Sequence, residues 1–236
     1  MDAMTLPRTL EPEVMDTEEE ARDYDAMHHA EVNARFCEGL LAHRPRISRL
    51  RRVLDVGTGT ALIPIELCRR VSDVDVDAVD LAAHMLALAR RNVERAGLAG
   101  RIRLTQVDAK AAGWHDGSFD AVMSNSIVHH IPRPESVLGE MWRLVRPGGL
   151  LFVRDLARPD SAARARELAD AYAPVPSESD PGVRAMHERQ RALLEASLHA
   201  ALTVDEVRAM VAALGVPVEA VQMTSDRHWT LAHVKP

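Results

Sequence analysis

Two glycines and an acid are the residues of this chain whose types and spacing most directly predict a ligand site. Gly57 and Gly59 form a Gly-x-Gly turn directly after the apolar run 53–56, and Asp80 ends the next apolar run. Glycine has no Cβ atom, so the backbone of such a turn can approach a ligand closely. An acid at the tip of a second strand can accept hydrogen bonds from both hydroxyls of a ribose. This order therefore predicts a Rossmann-like nucleoside site, with a plain strand-to-helix turn as the alternative.

The same turn argues against a dinucleotide as the ligand. A dinucleotide fingerprint has a third glycine three residues after the second, and this chain has Leu62 there. The third glycine allows the helix to pack closely on the strand beside a pyrophosphate. Its absence favours a ligand without a pyrophosphate, and it makes a dehydrogenase the least supported function for this chain.

Size, charge and cysteine content exclude several classes of protein. The chain has 236 residues, of which 47% are hydrophobic, and this is enough for one sizeable core with an appendage. A formal net charge of −6 argues against a nonspecific nucleic-acid binder or a protein of anionic membrane surfaces. Cys37 and Cys68 lack the spacing of a metal or redox motif. With no apolar segment long enough to cross a bilayer, we expect a cytoplasmic protein without a membrane partner.

Strands and helices alternate through the middle of the chain. The pattern predicts strands over 52–56, 75–79, 102–107, 119–124 and 150–154, and helices over about 60–70, 82–96 and from Pro134 to before Pro147. Strands that are separated by helices indicate a parallel sheet with right-handed crossovers. The sequence therefore predicts an α/β protein.

The two ends of the chain depart from this alternation. We expect residues 1–45 to form an N-terminal arm and helical cap, and residues 46–236 to form a Rossmann-like domain. The domain carries a helical insertion at about 156–202, which prolines divide into two helices and which we expect to act as a lid. Thr203 and Glu206 then form a capping box, and strands over 216–223 and 229–234 form a final hairpin.

Five motifs stand in an order that is typical of one enzyme family. They are 53–60, Asp80, Asp108 in the run 106–109, the strand start 119–122, and the run 144–150 with Pro147-Gly148-Gly149. Over roughly residues 50–155 the chain thereby resembles the class I S-adenosylmethionine-dependent methyltransferases. The resemblance implies a seven-stranded, mostly parallel Rossmann-like sheet with helices on both faces and an antiparallel last strand. It also implies S-adenosyl-L-methionine as the cofactor.

The resemblance further implies which residues bind that cofactor. The glycine turn would lie against its methionine part, Asp80 would accept from the ribose hydroxyls, and Asp108 would accept from the adenine amino group, beside the backbone N–H of Ala109. Asp55 either supports the turn or reaches the cofactor amine through water. The full predicted set is Tyr24, Asp55, Gly57, Thr58, Gly59, Asp80, Leu81, Asp108, Ala109 and Asn125.

The residues after the fourth strand usually line the methyl-transfer site of this family. Asn125 can face the cofactor or the nucleophile, and either His129 or His130 can act as a general base, since imidazole titrates near neutral pH. The alternative is that the His-His pair is a general family pattern without a catalytic role. We expect no metal site, because two adjacent histidines point in different directions and make a poor site alone.

Other segments are candidates for the outer walls of the site. Tyr24, His28 and His29 can close over the methionine end, or they can be ordinary cap residues. The run 225–229 can reach the substrate pocket, or it can be an ordinary hairpin turn. Arg154 and Asp155 end the fifth strand, where they can serve the ligand site or form an ion pair without a substrate role.

Together these residues predict a methyltransferase of a small molecule, working as a monomer or homodimer. The motif series, a helical lid of a size to enclose a ligand, and the acidic chain support this interpretation. A methyltransferase of RNA or protein is the alternative within the same chemistry. A non-catalytic S-adenosylmethionine-binding protein is the alternative from another class, since the fold alone does not decide the function.

Overall fold

A seven-stranded sheet forms the centre of the molecule, in a computed structural model that describes residues 6–13, 16–26, 30–177 and 180–236. The strands are β1 (Arg52–Val56), β2 (Asp75–Asp80), β3 (Ile102–Gln106), β4 (Phe119–Asn125), β5 (Val145–Leu156), β6 (Val221–Met223) and β7 (His228–Val234). Their order is β3-β2-β1-β4-β5-β7-β6. The first five strands run parallel, and β7 runs antiparallel to both of its neighbours. The predicted fold class is therefore confirmed.

Helices cover both faces of the sheet. They are α1 (Glu18–Asp25), α2 (Ala30–Leu41), α3 (Leu62–Arg70), α4 (Ala83–Arg95), α5 (Pro134–Leu144), α6 (Ala162–Tyr172), α7 (Pro181–Ala200) and α8 (Val204–Ala213). One core joins α2, α3 and α4 to the face that carries Phe152, and a second core joins α5 and α8 to the face that carries Leu151. Because successive strand residues point to opposite faces, a single strand supplies both cores. None of the helices among the described residues is long and apolar enough to cross a membrane.

Two strands begin five residues away from the predicted start, whereas the other strand ends lie within two residues of the prediction. β5 begins at Val145 instead of at residue 150, because Val145 already pairs with Phe119 before the register shifts. The Pro-Gly-Gly run stays within the strand, where a Cβ atom on Gly149 would lie 2.8 Å from the carbonyl oxygen of Asp120. β6 covers only residues 221–223, because a single 3-10 turn over 218–220 precedes it after Pro217. The final hairpin itself is confirmed.

The predicted insertion forms two helices that pack on each other and on the end of β5. Its small core contains Leu156, Leu168 and Leu198. The predicted capping box is present at the start of α8, where the Thr203 hydroxyl accepts from Glu206 N–H and the Glu206 carboxylate accepts from Thr203 N–H. The division into a cap over 1–45 and a domain over 46–236 stays a prediction, as does the movement of a lid.

Candidate functional site

A cleft of about 820 Å³, including its open mouth, lies at the carboxyl ends of β1, β2 and β4. This is the edge at which open α/β sheets place their ligands. Most of the residues that the sequence predicts as a cofactor site line this cleft. They are Tyr24, Gly57, Gly59, Asp80, Leu81, Asp108, Ala109 and Asn125, and His130, a predicted catalytic residue, lines the cleft with them.

The glycine turn is shaped by close packing on one side and by the cleft on the other. Gly57 has φ +72°, and a Cβ atom there would lie 2.1 Å from Cγ2 of Ile127. Any other residue would therefore be strained and would clash. The N–H groups of Gly57 and Thr58 both donate to the carbonyl of Val79, at 2.9 and 2.8 Å, and this fixes the turn to the end of β2. The ring of Tyr24 lies over Gly59.

Asp80 joins the glycine turn to the wall of the cleft. Its Oδ2 accepts from Gly59 N–H at 2.7 Å, and its Oδ1 accepts from Ala82 N–H at 2.9 Å. Burial raises the pKa of this carboxyl, although the backbone N–H bonds oppose the rise. A carboxylate oxygen has two lone pairs, so each oxygen keeps acceptor capacity for a ligand hydroxyl.

A second, smaller compartment of about 330 Å³ adjoins the glycine turn, and it contains the predicted residues that the main cleft lacks. Asp55 and Thr58 line it together with Asn33 and Asn125. Burial raises the pKa of Asp55 to about 7, against the hydrogen bond from Thr58, and the charge of Asp80 adds to the rise. Burial likewise raises the pKa of Tyr24 to about 12, with the charges of Asp80 and Asp55 adding to it. The compartment thus presents a neutral phenol beside a carboxyl group that titrates near neutral pH.

The far end of the cleft carries a lysine that the sequence analysis did not single out. Asp108 accepts from the backbone N–H of Lys110 at 2.9 Å, and its Oδ1 lies 3.1 Å from Lys110 Nζ. The backbone bond, followed by the side-chain bond and the charge of Lys110, lowers the pKa of this half-exposed carboxyl. Lys110 Nζ also pairs with Glu13 of the N-terminal arm. Glu13 of the predicted arm therefore lines the cleft.

His129 and Asp155 form a buried dyad that does not itself line the cleft, and the ring of His129 packs on that of His130, which does. Nδ1 of His129 lies 2.5 Å from Oδ1 of Asp155, and the side chain of Asp155 is fully buried. Asp155 also accepts from the N–H groups of Val128 and Leu156, each at 2.6 Å. Burial disfavours the imidazolium form of His129, but the charge and hydrogen bond of Asp155 and the charge of Glu11 outweigh it, and the pKa of His129 is raised. This arrangement holds the ring in one orientation with Nε2 on the far side from Asp155.

Glu11 of the arm faces both histidines. Its Oε1 lies 3.5 Å from Nε2 of His129 and 3.0 Å from Nδ1 of His130, and Ser197 donates to the same oxygen at 3.1 Å. Arg8 fixes the arm, because its guanidinium donates to the carbonyls of Ala200, His129 and Ile131. The contacts of Arg8 join residues 121 or more positions apart, so no local sequence pattern indicates them.

The two histidine rings do not point in different directions, which corrects the reason given for expecting no metal. Their centroids lie 4.1 Å apart with the planes tilted by 35°. Together with Glu11 they offer three ligand atoms within 4.8 Å of one another. However, Glu11 and Asp155 already pair with the imidazoles, and the positive charge of Arg8 acts on His129. The absence of a metal stays a prediction.

The structure gives a separate outcome for each of three predictions about the outer walls of the site. Arg154 and Asp155 make no ion pair, because neighbouring strand residues point to opposite faces: Asp155 bonds His129, and Arg154 bonds Thr230. Trp229 is fully buried in the core and is no wall, whereas Arg227 lies on the ring of Tyr172. His28 and His29 lie outside the described residues.

Comparison with known proteins agrees with this geometry. A methyltransferase-domain family model matches residues 53–149. A demethylmenaquinone methyltransferase of Thermus thermophilus is 37% identical over 113 residues, which are 48% of this chain and 50% of that protein. A phosphatidylethanolamine N-methyltransferase of Cereibacter sphaeroides is 39% identical over 120 residues, 50% of this chain and 57% of that protein. The chain thus spans about half the length of these curated relatives.

Solved structures share the fold over nearly the whole chain. An S-adenosyl-L-methionine-dependent methyltransferase from Methanococcus maripaludis superposes with a TM-score of 0.66 at 16% identity, and the match covers 96% of each chain. A methyltransferase from Aquifex aeolicus has a TM-score of 0.63 at 17% identity, over 92% of this chain and 97% of that one. At these identities the likeness shows the fold alone.

Proposed function

We propose that this chain, a member of the class I methyltransferase family through residues 53–149, transfers a methyl group from S-adenosylmethionine to a small-molecule acceptor. The observation that carries the proposal is a cleft lined by the glycine turn, Asp80 and His130, with the buried His129–Asp155 dyad packed behind the ring of His130. This juxtaposition brings a candidate base to the edge of a candidate nucleoside site. A cytoplasmic location and a monomeric or homodimeric state stay predictions.

The residues present fit this cofactor. The turn at Gly57 and Gly59 lines the cleft, and the Asp80 carboxylate keeps acceptor capacity for ribose hydroxyls. Asp108 and Ala109 lie at the end of the cleft where an adenine would bind. Tyr24, Asp55 and Thr58 surround the smaller compartment, which suits the polar amino-acid end. When bound, the cofactor supplies an activated methyl group on a sulfonium.

The protein then has to align the acceptor, exclude water and remove a proton where the nucleophile carries one. Asp155 accepts a hydrogen bond from Nδ1 of His129, which leaves Nε2 as the atom that takes the proton. Glu11 faces that atom at 3.5 Å, so an acceptor has to reach Nε2 beside Glu11 or in its place. Because the pKa of His129 is raised, its neutral form increases as the pH rises above the ordinary range of histidine.

The N-terminal arm lies against the cleft, and this favours a small acceptor rather than a macromolecule. Arg8 and Glu11 hold the arm against α7 and the histidines, and Glu13 holds it against Lys110. The acidic net charge of −6 also disfavours RNA. The relatives are named for menaquinone precursors and for a phospholipid amine, and we extend from them only the general class of a small acceptor.

Detection of the transferred methyl group tests this proposal. The full chain is incubated with methyl-labelled S-adenosylmethionine and with separate panels of phenols, quinols, amines and carboxylic acids, and also with total RNA and with protein extract. We expect label in a small molecule, and a loss of about 100-fold or more in His129→Asn. His115→Asn, a substitution of an exposed histidine directly before a turn, is the control. Label only in RNA or protein, or in no acceptor despite tight cofactor binding, would contradict the proposal.

A further inference from the structure

Arg154 is a half-buried cation that forms no ion pair with any residue that the structure describes. Its Nε donates to the hydroxyl of Thr230 at 3.2 Å, and its guanidinium carbon lies 5.8 Å from the ring centroids of Phe36 and Phe152. Within the described parts of the chain, no carboxylate lies within 4.0 Å of it. Burial lowers the pKa of Arg154, and no charged neighbour opposes this shift. A partly desolvated guanidinium without a counter-charge is unfavourable unless a ligand supplies one.

Arg227 is a second half-buried cation at the same end of the sheet. Its guanidinium carbon lies 3.2 Å from the ring centroid of Tyr172, and it too has no ion-pair partner among the residues that the structure describes. The neighbouring carboxylate, Asp226, is already engaged by the Tyr172 hydroxyl at 2.9 Å and by Arg164 at 3.8 Å. Burial lowers the pKa of Arg227, although the charges of Tyr172 and Asp226 oppose this.

The two arginines act on a common neighbour. Burial lowers the pKa of His228 to about 4, and the charges of Arg227 and Arg154 lower it further against Asp155 and Asp226. His228 is therefore neutral at physiological pH, and its Nδ1 lies 2.9 Å from the Ser225 hydroxyl. The two guanidinium groups thus act on one neutral side chain, and we refer to Arg154 and Arg227 as the basic region.

This basic region adjoins the cofactor cleft. Arg154 pairs in register with Asn125 of β4 on one side and with Thr230 of β7 on the other. Residues that stand opposite each other on neighbouring strands point to the same face of a sheet. Asn125 lines both compartments of the cleft. Arg154 thus lies next along the sheet from Asn125, the residue that we expect beside the reacting methyl group.

We propose that Arg154 and Arg227 form a subsite for an oxyanion carried by the methyl acceptor, a carboxylate or a phosphate. A guanidinium binds such groups through paired N–H donors, and burial strengthens the attraction. The proposal makes the acceptor an acid with a separate nucleophilic atom. That the bound molecule is the methyl acceptor rests on the proposed function. Binding of the oxyanion itself can be measured without any turnover.

The test is a calorimetric titration of the full chain, saturated with S-adenosylhomocysteine, using benzoate and inorganic phosphate as separate probes. We expect saturable binding of at least one probe, and at least a tenfold weakening in Arg154→Met. Arg154→Lys should lose less, because it keeps the charge, and Arg227→Gln should weaken the same probe. Arg69→Met is the control, because Arg69 is exposed on α3. A response to benzoate alone indicates a carboxylate acceptor, and a response to phosphate alone indicates a phosphorylated one; either supports the subsite.

Equal binding of both probes to the wild type and to the Arg154 and Arg227 variants would overturn the proposal, as would no binding to the wild type. The two arginines would then only pack on aromatic rings. Failure of the subsite is distinguishable from failure of the proposed function. Oxyanion binding without methyl transfer to any small molecule would support the subsite and contradict the proposed function. Methyl transfer to neutral acceptors without oxyanion binding would support the proposed function and contradict the subsite.

Discussion

Replacement of Asp155 by Asn removes one charge from the buried dyad and keeps the shape of the side chain. The carboxylate accepts from Nδ1 of His129 and from the N–H groups of Val128 and Leu156. An amide has only one oxygen, so its NH₂ group has to face at least one of these donors. The change therefore leaves a buried donor without an acceptor and removes the counter-charge of the imidazolium.

The expected magnitude follows from these contacts. Removing one partner of a buried ion pair costs about 3–5 kcal/mol, because the remaining charge is left unpaired. His129 can respond by staying neutral, so we place the loss of unfolding free energy at the lower end, at about 3 kcal/mol. In a chain of this size that lowers Tm by roughly 6–12 °C. Turnover should fall by about 100-fold or more, because the ring loses the group that orients it.

The assay combines urea unfolding at pH 7.5 with turnover and with calorimetric binding of S-adenosylhomocysteine. Binding should stay within about threefold of the wild type, because Asp155 does not line the cleft. Asp116→Asn, which breaks an exposed pair with Arg143, is the control and should leave stability and turnover unchanged. If Asp155→Asn keeps wild-type turnover, the orienting role of Asp155 is wrong, and if it keeps wild-type stability, the buried charge pair is wrong.

Three further predictions address the cofactor site, the base and the cover. Asp80→Asn should weaken S-adenosylhomocysteine binding by about 10- to 100-fold in calorimetry, since it loses charge-assisted bonds to ligand and turn; an unchanged Kd would mean that Asp80 serves only the turn. Turnover should rise with pH through the raised pKa of His129, because the base has to be neutral. Glu11→Gln should shift this rise in the pH–rate profile to lower pH, because it removes a charge that raises the pKa of His129. An unshifted profile would contradict His129 as the base. In hydrogen exchange, α6, α7 and the helices α1 and α2 should gain protection when S-adenosylhomocysteine binds, and equal protection in both states would contradict a moving cover.

The sequence predicts the parts of the site that lie close together along the chain. The turn at 57–59 and Asp80 belong to one strand–helix–strand unit, so their spacing already places them at the same edge of the sheet. The alternation of strand side chains already argues against an ion pair between Arg154 and Asp155. The two residues are adjacent in one strand, so their side chains point to opposite faces.

Contacts made by the arm are beyond such reasoning. Glu11 reaches His129 and His130 across more than a hundred positions, and Arg8 is held by backbone carbonyls, which carry no side-chain signature. The burial of Trp229 likewise depends on a contact that is distant in sequence. Trp229 stands alone in a polar run that is typical of a turn, and only its pairing with Asp155 in the sheet places it in the core.

We expect the cleft to bind S-adenosylmethionine and not a dinucleotide. Calorimetric titration of the purified full chain with S-adenosylhomocysteine and, separately, with NAD tests this directly. We predict saturable binding of S-adenosylhomocysteine that Asp80→Asn weakens, and no binding of NAD. Binding of NAD with no binding of S-adenosylhomocysteine would contradict the account.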